Sequence, residues 1–146
     1  MKFKIKGHVQ DSKEIIFDLL AAEGVESFEL SFDGGGDDGQ INEPEDFKPE
    51  TTEKKIKKIL SKKVEGGRIS NGTRWGPNGP ETMWQEDVTL GQMIDSVCYD
   101  VLEGVCSGWE INEGSYGTFY FDVKKRKVNL DFNERVVESN LTQYNF

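Results

Sequence analysis

An α+β fold, a mostly antiparallel sheet with helices packed on one face, is predicted by three features of the sequence. Three runs alternate apolar and polar residues with a period of two: Phe28, Leu30 and Phe32, then Phe119, Phe121 and Val123, then Val128, Leu130 and Phe132. The second and third runs are separated by Lys124-Lys125-Arg126-Lys127, a connection short enough for a hairpin. Other stretches carry apolar residues at helical spacing, and none approaches the roughly 18 consecutive apolar residues of a membrane span. The 146 residues fit one α+β domain, 1–146, with an insert at about 65–87.

Element by element, Lys2, Phe3, Lys4, Ile5 and Lys6 alternate and predict a short edge strand over 2–7. His8, the only histidine, then falls near a strand end as a surface or rim residue. Asp11 or Ser12 is expected to cap a first helix, since Asp11 and Glu14 have capping-box spacing. Ile15, Ile16, Leu19 and Leu20 form its stripe and Gly24 its stop. Over 26–33, Phe28, Leu30 and Phe32 point one way and Ser27, Glu29, Ser31 and Asp33 the other, a strand with one wet face. Glycines with Asp37 and Asp38 interrupt this pattern before Gln40 and Ile41, and 42–50 read as loop. Thr51 or Thr52 opens a lysine-rich helix to about Val64, with Ile56, Ile59 and Leu60 as a narrow stripe. Residues 65–87, rich in Gly and Pro and bearing Trp75 and Trp84, show no periodicity and read as a long loop. Thr89 and Gln92 have the spacing of a second capping box. Behind them Leu90, Met93, Ile94, Val97, Val101, Leu102 and Val105 define the central helix, ended by Gly104 or Gly108. After the C-terminal hairpin, the tail from Glu138 is polar apart from Leu141, Tyr144 and Phe146.

With 27 acidic residues against 18 basic ones and a net charge of −9, the composition counts against direct nucleic-acid binding, which calls for a basic footprint. The charge is segregated: residues 1–46 hold 12 acids and four lysines, whereas eight of the 18 basic residues fall between Lys48 and Arg68. The opening residues carry no apolar h-region, so no secretion signal is expected. Cys98 and Cys106 lie on one predicted helix, about 12 Å apart along its axis and beyond disulfide reach. A reducing cytoplasm is the expected compartment.

The polar rows of the three strands, Glu29/Asp33, Tyr120/Asp122 and Asn129/Asp131/Asn133, would form one acidic surface if the strands share a sheet. Such a surface is a solvated face, or else a docking face or ligand floor. Three loops add candidates. Asp33, Asp37, Asp38 and Gln40 lie among glycines that let backbone approach a ligand, and the three carboxylates are the donor type for Ca²⁺ or Mg²⁺. The EF-hand template fits poorly, with Gly35 at its third position, Asp38 at the sixth and Pro44 at the twelfth, and no Gly-Lys-Ser/Thr marks a phosphate loop. The loop would then be a strand-connecting turn, a polar binding loop or a metal site. Trp109, Glu110, Glu113 and Tyr116 lie between the central helix and the hairpin. Trp109 reads as a core-rim aromatic or a stacking platform, and Glu110 with Glu113 as an acid/base pair whose separation no sequence rule sets. Asn133 and Arg135 close the last strand, where Arg135 would meet a carboxylate of either loop or form a buried ion pair. One His and two Cys do not suit zinc, and no Ser or Cys motif beside His8 supports nucleophilic catalysis.

Taken together, Phe32-Asp33-Gly34-Gly35-Gly36-Asp37-Asp38-Gly39-Gln40-Ile41, Gly108-Trp109-Glu110 with its continuation to Gly117, and Asn133-Glu134-Arg135 resemble a family of small bacterial and phage proteins of unknown function. Its signature is aromatic-Asp-Gly-x-Gly-Asp-x-Gly-Gln, then Gly-Trp-Glu, then an Asn-x-Arg ending. The resemblance covers roughly residues 25–42 and 90–136 and implies that the three loops belong to one site; it implies no activity.

The first expectation is therefore a small acidic cytoplasmic binding or inhibitor protein, phage- or mobile-element-encoded, without cofactor or catalysis. It would act on a protein partner through the wet face and the three loops, with DNA mimicry as one form. Two alternatives stay open. One is a carboxylate- or metal-dependent hydrolase using Asp33, Asp37, Asp38, Glu110 and Glu113. The other is a nucleotide-binding sponge in which Trp109, Tyr116, Trp75 or Trp84 stacks on a base. No membrane partner is expected, and the oligomeric state is open.

Overall fold

The computed structural model of the protein describes residues 7–35, 38–105, 114–134 and 140–146. Three helices, α1 (Gly7–Ala22), α2 (Glu53–Leu60) and α3 (Leu90–Val105), alternate with strands β1 (Ser27–Gly35), β2 (Asp38–Ile41), β3 (Glu45–Lys48), β4 (Ile69–Gly76), β5 (Gly79–Gln85), β6 (Ser115–Asp122), β7 (Lys127–Glu134) and β8 (Asn140–Asn145). The main sheet runs β2-β1-β6-β7-β8, with β3 also on β1, and every pairing is antiparallel. The α+β architecture expected from the sequence is the one observed.

The period-two runs behave as their pattern dictates. Phe28, Leu30 and Phe32 of β1, Phe119 and Phe121 of β6, and Val128, Leu130 and Phe132 of β7 are all buried. The registers put Phe28 opposite Phe121 and Leu30 opposite Phe119, so one sheet face is apolar throughout. α1 and α3 close that face. Ile16, Phe17 and Leu20 from α1 and Leu90, Met93, Ile94, Val97, Cys98, Val101 and Leu102 from α3 complete the core. The capping box at the start of α3 is formed: Gln92 N donates to Thr89 Oγ1 at 3.2 Å, and Thr89 N donates to Gln92 Oε1 at 2.8 Å. Cys98 is a buried free thiol whose pKa is pushed well up by burial; Cys106 lies outside the described residues.

Gly117 shows how tightly the sheet closes. It sits between Phe32 and Phe132 in register, and their rings meet across the gap with centroids 6.1 Å apart. A Cβ there would overlap the Asp131 carbonyl and press on the Phe32 ring.

Several sequence expectations are corrected. α1 begins at Gly7, so Asp11 and Ser12 lie inside the helix and His8 belongs to α1, not to a strand end. The reason is the stripe: buried Val9 and Lys13 extend the Ile16/Phe17/Leu20 face upstream at helical spacing. Burial lowers the pKa of the Lys13 ammonium. The strand expected over 2–7 falls almost wholly outside the described residues. α2 is capped by Thr52, whose hydroxyl accepts from Lys55 N at 3.2 Å, but stops at Leu60, short of Val64. Val64 is buried instead through a backbone bond to Val88 O, 2.9 Å long. α3 runs through Gly104 to Val105, and Gly108, the other stop expected for it, lies outside the described residues. The supposed loop 42–50 contains β3, held because Phe47 is buried and stacks on Phe28 at 5.1 Å. The supposed loop 65–87 contains the β4–β5 hairpin, which turns at Pro77-Asn78 and pairs Gly76 with Gly79. The tail from Glu138 contains β8, paired with β7 from Asn129↔Asn145 to Glu134↔Asn140.

Candidate functional site

Because β1, β6 and β7 are neighbours, their outward residues form cross-strand rows about 4.8 Å apart from strand to strand. The first row is Glu45, Glu29, Tyr120, Asn129 and Asn145, and the second is Ser31, Thr118, Asp131 and Gln143. The third, at the loop end of the sheet, is Gln40, Asp33, Tyr116, Asn133 and Leu141. Each of the three sequence motifs contributes to that last row. Asp33 and Gln40 come from the β1–β2 hairpin, Tyr116 from the start of β6 and Asn133 from the end of β7.

The other candidates are not among the residues whose side chains are described. Asp37, Trp109, Glu110, Glu113 and Arg135 lie outside the described residues, and Asp38 is placed by its backbone alone, opposite Gly35. The convergence that carboxylate catalysis requires between the Asp33 loop and Glu110 or Glu113 therefore falls outside them too. Among the described residues no three His, Cys, Asp or Glu side chains group to hold a metal ion.

Local hydrogen bonds hold the polar face in shape. Asn42 Nδ2 donates to Ser31 Oγ at 2.8 Å, and Gln40 Nε2 donates to Asn42 Oδ1 at 3.2 Å. Gln143 Nε2 donates to Asp131 Oδ1 at 2.9 Å, and Asn133 Nδ2 donates to the Tyr116 carbonyl at 3.4 Å. From the helical side, the Tyr99 hydroxyl of α3 accepts from Ile41 N at 3.2 Å and fastens β2 to the core. The loop end is also locked by backbone: Gly114 has φ +77°, and a Cβ on it would overlap the Gly34 carbonyl.

Two shallow grooves run together across the face. One of about 390 Å³ is lined by Ser31, Asp33, Thr118, Tyr116, Tyr120 and Asp131 with their neighbours. The other, about 470 Å³, is lined by Asp33, Gly35, Gly39, Gln40 and Asn42, so Asp33 and Asn42 border both. Among the described residues neither is lined by a lysine or arginine. Tyr116 is 38% exposed, Tyr120 41% and Leu141 58%, and all three stand on this face. Beside the grooves, Glu29 has a raised carboxyl pKa, chiefly because it is half-buried, and further because Asp46 and Glu45 lie close to it.

Sequence reasoning missed Asn42, Gln143 and Leu141 as members of this surface. For the last two a signal existed: Leu141, Gln143 and Asn145 alternate with Thr142, Tyr144 and Phe146. Asn42 carried none, since its place depends on where β2 ends.

No curated protein and no solved structure matches the chain. A family model does match, over residues 8–146, and the chain belongs to that family, a family of unknown function (DUF6878).

Proposed function

We propose that the protein is a non-enzymatic binding protein that docks a partner protein on the outer face of its main sheet. The observation that supports this most is the placement of Tyr116, Tyr120 and Leu141. A one-sided sheet ordinarily turns polar residues outward, yet this one presents three large apolar side chains among carboxylates and amides. Tyrosine anchors set in a polar surround are the composition of a protein-binding surface. Asp33 and Asp131 in the groove, with Glu29 and Asp122 on the same face, favour a partner that offers lysine or arginine. An inhibitor carried by a phage or mobile element would act in this way, and competition for a basic groove is one form of it.

The test is affinity capture from cell extract with the wild type and with the double variant Tyr116→Ala/Tyr120→Ala, followed by titration of the captured partner. Loss of two anchors is expected to weaken binding at least about tenfold, 1.4 kcal/mol, with an unchanged thermal melt. A partner held equally well by the double variant would show that binding lies elsewhere. Steep weakening by salt would mark the electrostatic form, and salt-independent binding would remove DNA mimicry.

A further inference from the structure

A second surface, separate from the outer sheet face, carries the opposite charge. Between Lys48 and Arg74 the chain has nine basic residues and three acids. α2 turns only Ile59 fully inward, with Ile56 and Leu60 half-buried, so its lysines occupy the rest of its circumference. A groove of about 380 Å³ beside it is lined by Lys54, Lys55, Lys58 and Lys62. The one carboxylate among its described lining residues, Glu23, is already paired with Lys62.

The segment just after α2 is tied to the start of α3, a few residues past the end of β5, and α2 and β4 both pack on α3. Lys63 bridges Thr89, Leu90 N donates to Lys62 O at 2.9 Å, and Lys63 Nζ donates to Asp87 O at 2.9 Å. On the hairpin the register places Trp75 opposite Pro80, and Pro80 and Trp84 share a face by the two-residue period. Arg68 lies over the Trp84 ring, 4.0 Å from its centroid. Trp75, near the turn, is 84% exposed, the most exposed large hydrophobic residue among those described. Arg74 beside it faces Glu81 at 3.6 Å.

Lysines on α2 and indole rings on a ribbon, both elements seated on α3, supply the two components of a single-strand site: a cationic track for phosphates and flat faces for unstacked bases. We propose that α2 and the tryptophan face of the β4–β5 hairpin bind single-stranded nucleic acid. An acidic protein would be served by the lysines alone, without an indole held in water. The bases of a duplex are stacked on one another and closed to an exposed ring. The net charge of −9 opposes approach at long range, so binding is weak and strongly salt-dependent, confined to the segment where the local sign is reversed.

The experiment uses the whole chain and an unstructured oligothymidylate of about 20 nucleotides, read by anisotropy of a labelled strand and by tryptophan quenching. Saturable binding with quenching is expected at about 20 mM salt, weakened at least about tenfold at about 200 mM. Trp75→Ala is expected to weaken it at least about fivefold, the lower end of one base stack. The triple change Lys54→Glu/Lys55→Glu/Lys58→Glu should abolish it, with melts unchanged in both variants. Tyr116→Ala/Tyr120→Ala should bind like the wild type, which separates this site from the outer face. The proposal is overturned by no binding at low salt, by equal affinity of Trp75→Ala, or by polyglutamate or duplex binding as tightly as the single strand.

Discussion

Glu29 illustrates what one residue experiences on the outer face. It lies directly opposite Glu45 and beside Asp46, half out of water, and its proton is held more tightly than in the unfolded chain. The contribution of this group to stability is therefore complete below its ordinary value of 4.5 and is lost as pH rises through the raised folded value. Glu29→Gln removes the like-charge opposition. Denaturant melts should show the variant more stable by roughly 0.2–1 kcal/mol at neutral pH and indistinguishable near pH 4, a difference that a purely steric effect would not produce. Residue identity was legible for the wet face, where Glu29, Asp33, Tyr120 and Asp131 follow from alternation alone. The neighbours of each were not, because register couples residues far apart in sequence: Glu29 meets Tyr120 and Tyr120 meets Asn129.

At the scale of elements, helices with strong local signals were the most readable. The Thr89/Gln92 box forms where its spacing places it, and its removal tests how much the central helix depends on it. Thr89→Ala leaves Gln92 N without its acceptor and is expected to lower stability by about 1 kcal/mol, seen as a fall of roughly 2–4 °C in the melting temperature. The elements that escaped are those whose stability comes from a partner. β3 offers one buried residue, Phe47, and the alternation in β8 rests on half-buried Thr142 and Tyr144, so each has only a weak hydrophobic pattern of its own. β4 and β5 are joined by the Pro77-Asn78 turn, and β5 carries the alternating Pro80, Thr82 and Trp84, but their exposure removes the apolar contrast on which periodicity depends.

Across the whole molecule, stability and charge are both unevenly distributed. The central strands β1, β6 and β7 carry ladders on both sides and lie on the main core, whereas β4 and β5 form a separate two-stranded sheet. A two-stranded ribbon is marginal by itself. Native-state hydrogen exchange should find the amides of Leu30, Phe119 and Leu130 opening only with global unfolding, and those of Thr73 and Thr82 opening well before; uniform protection would contradict this division. The turn between β6 and β7 is bound to the helical layer through Arg126, which meets Glu14 at 2.6 Å and Asp18 at 3.0 Å, and Lys124 meets Glu26 at 3.0 Å. Lys124 and Arg126 of that turn are thus engaged with acids of the first quarter of the chain, while Lys54, Lys55 and Lys58 of α2 line the groove beside it.

The α+β class, the one-sided strands, the cap at Thr89, a cap at Thr51 or Thr52 and the segregation of charge were determined by the sequence alone, because each arises from neighbours within a few residues. Strand order, the row Gln40-Asp33-Tyr116-Asn133-Leu141 and the seating of both the lysine helix and the tryptophan hairpin on α3 were decided only in the tertiary structure. Long-range pairing and core closure set these features, and no local period encodes which strand a given edge will meet.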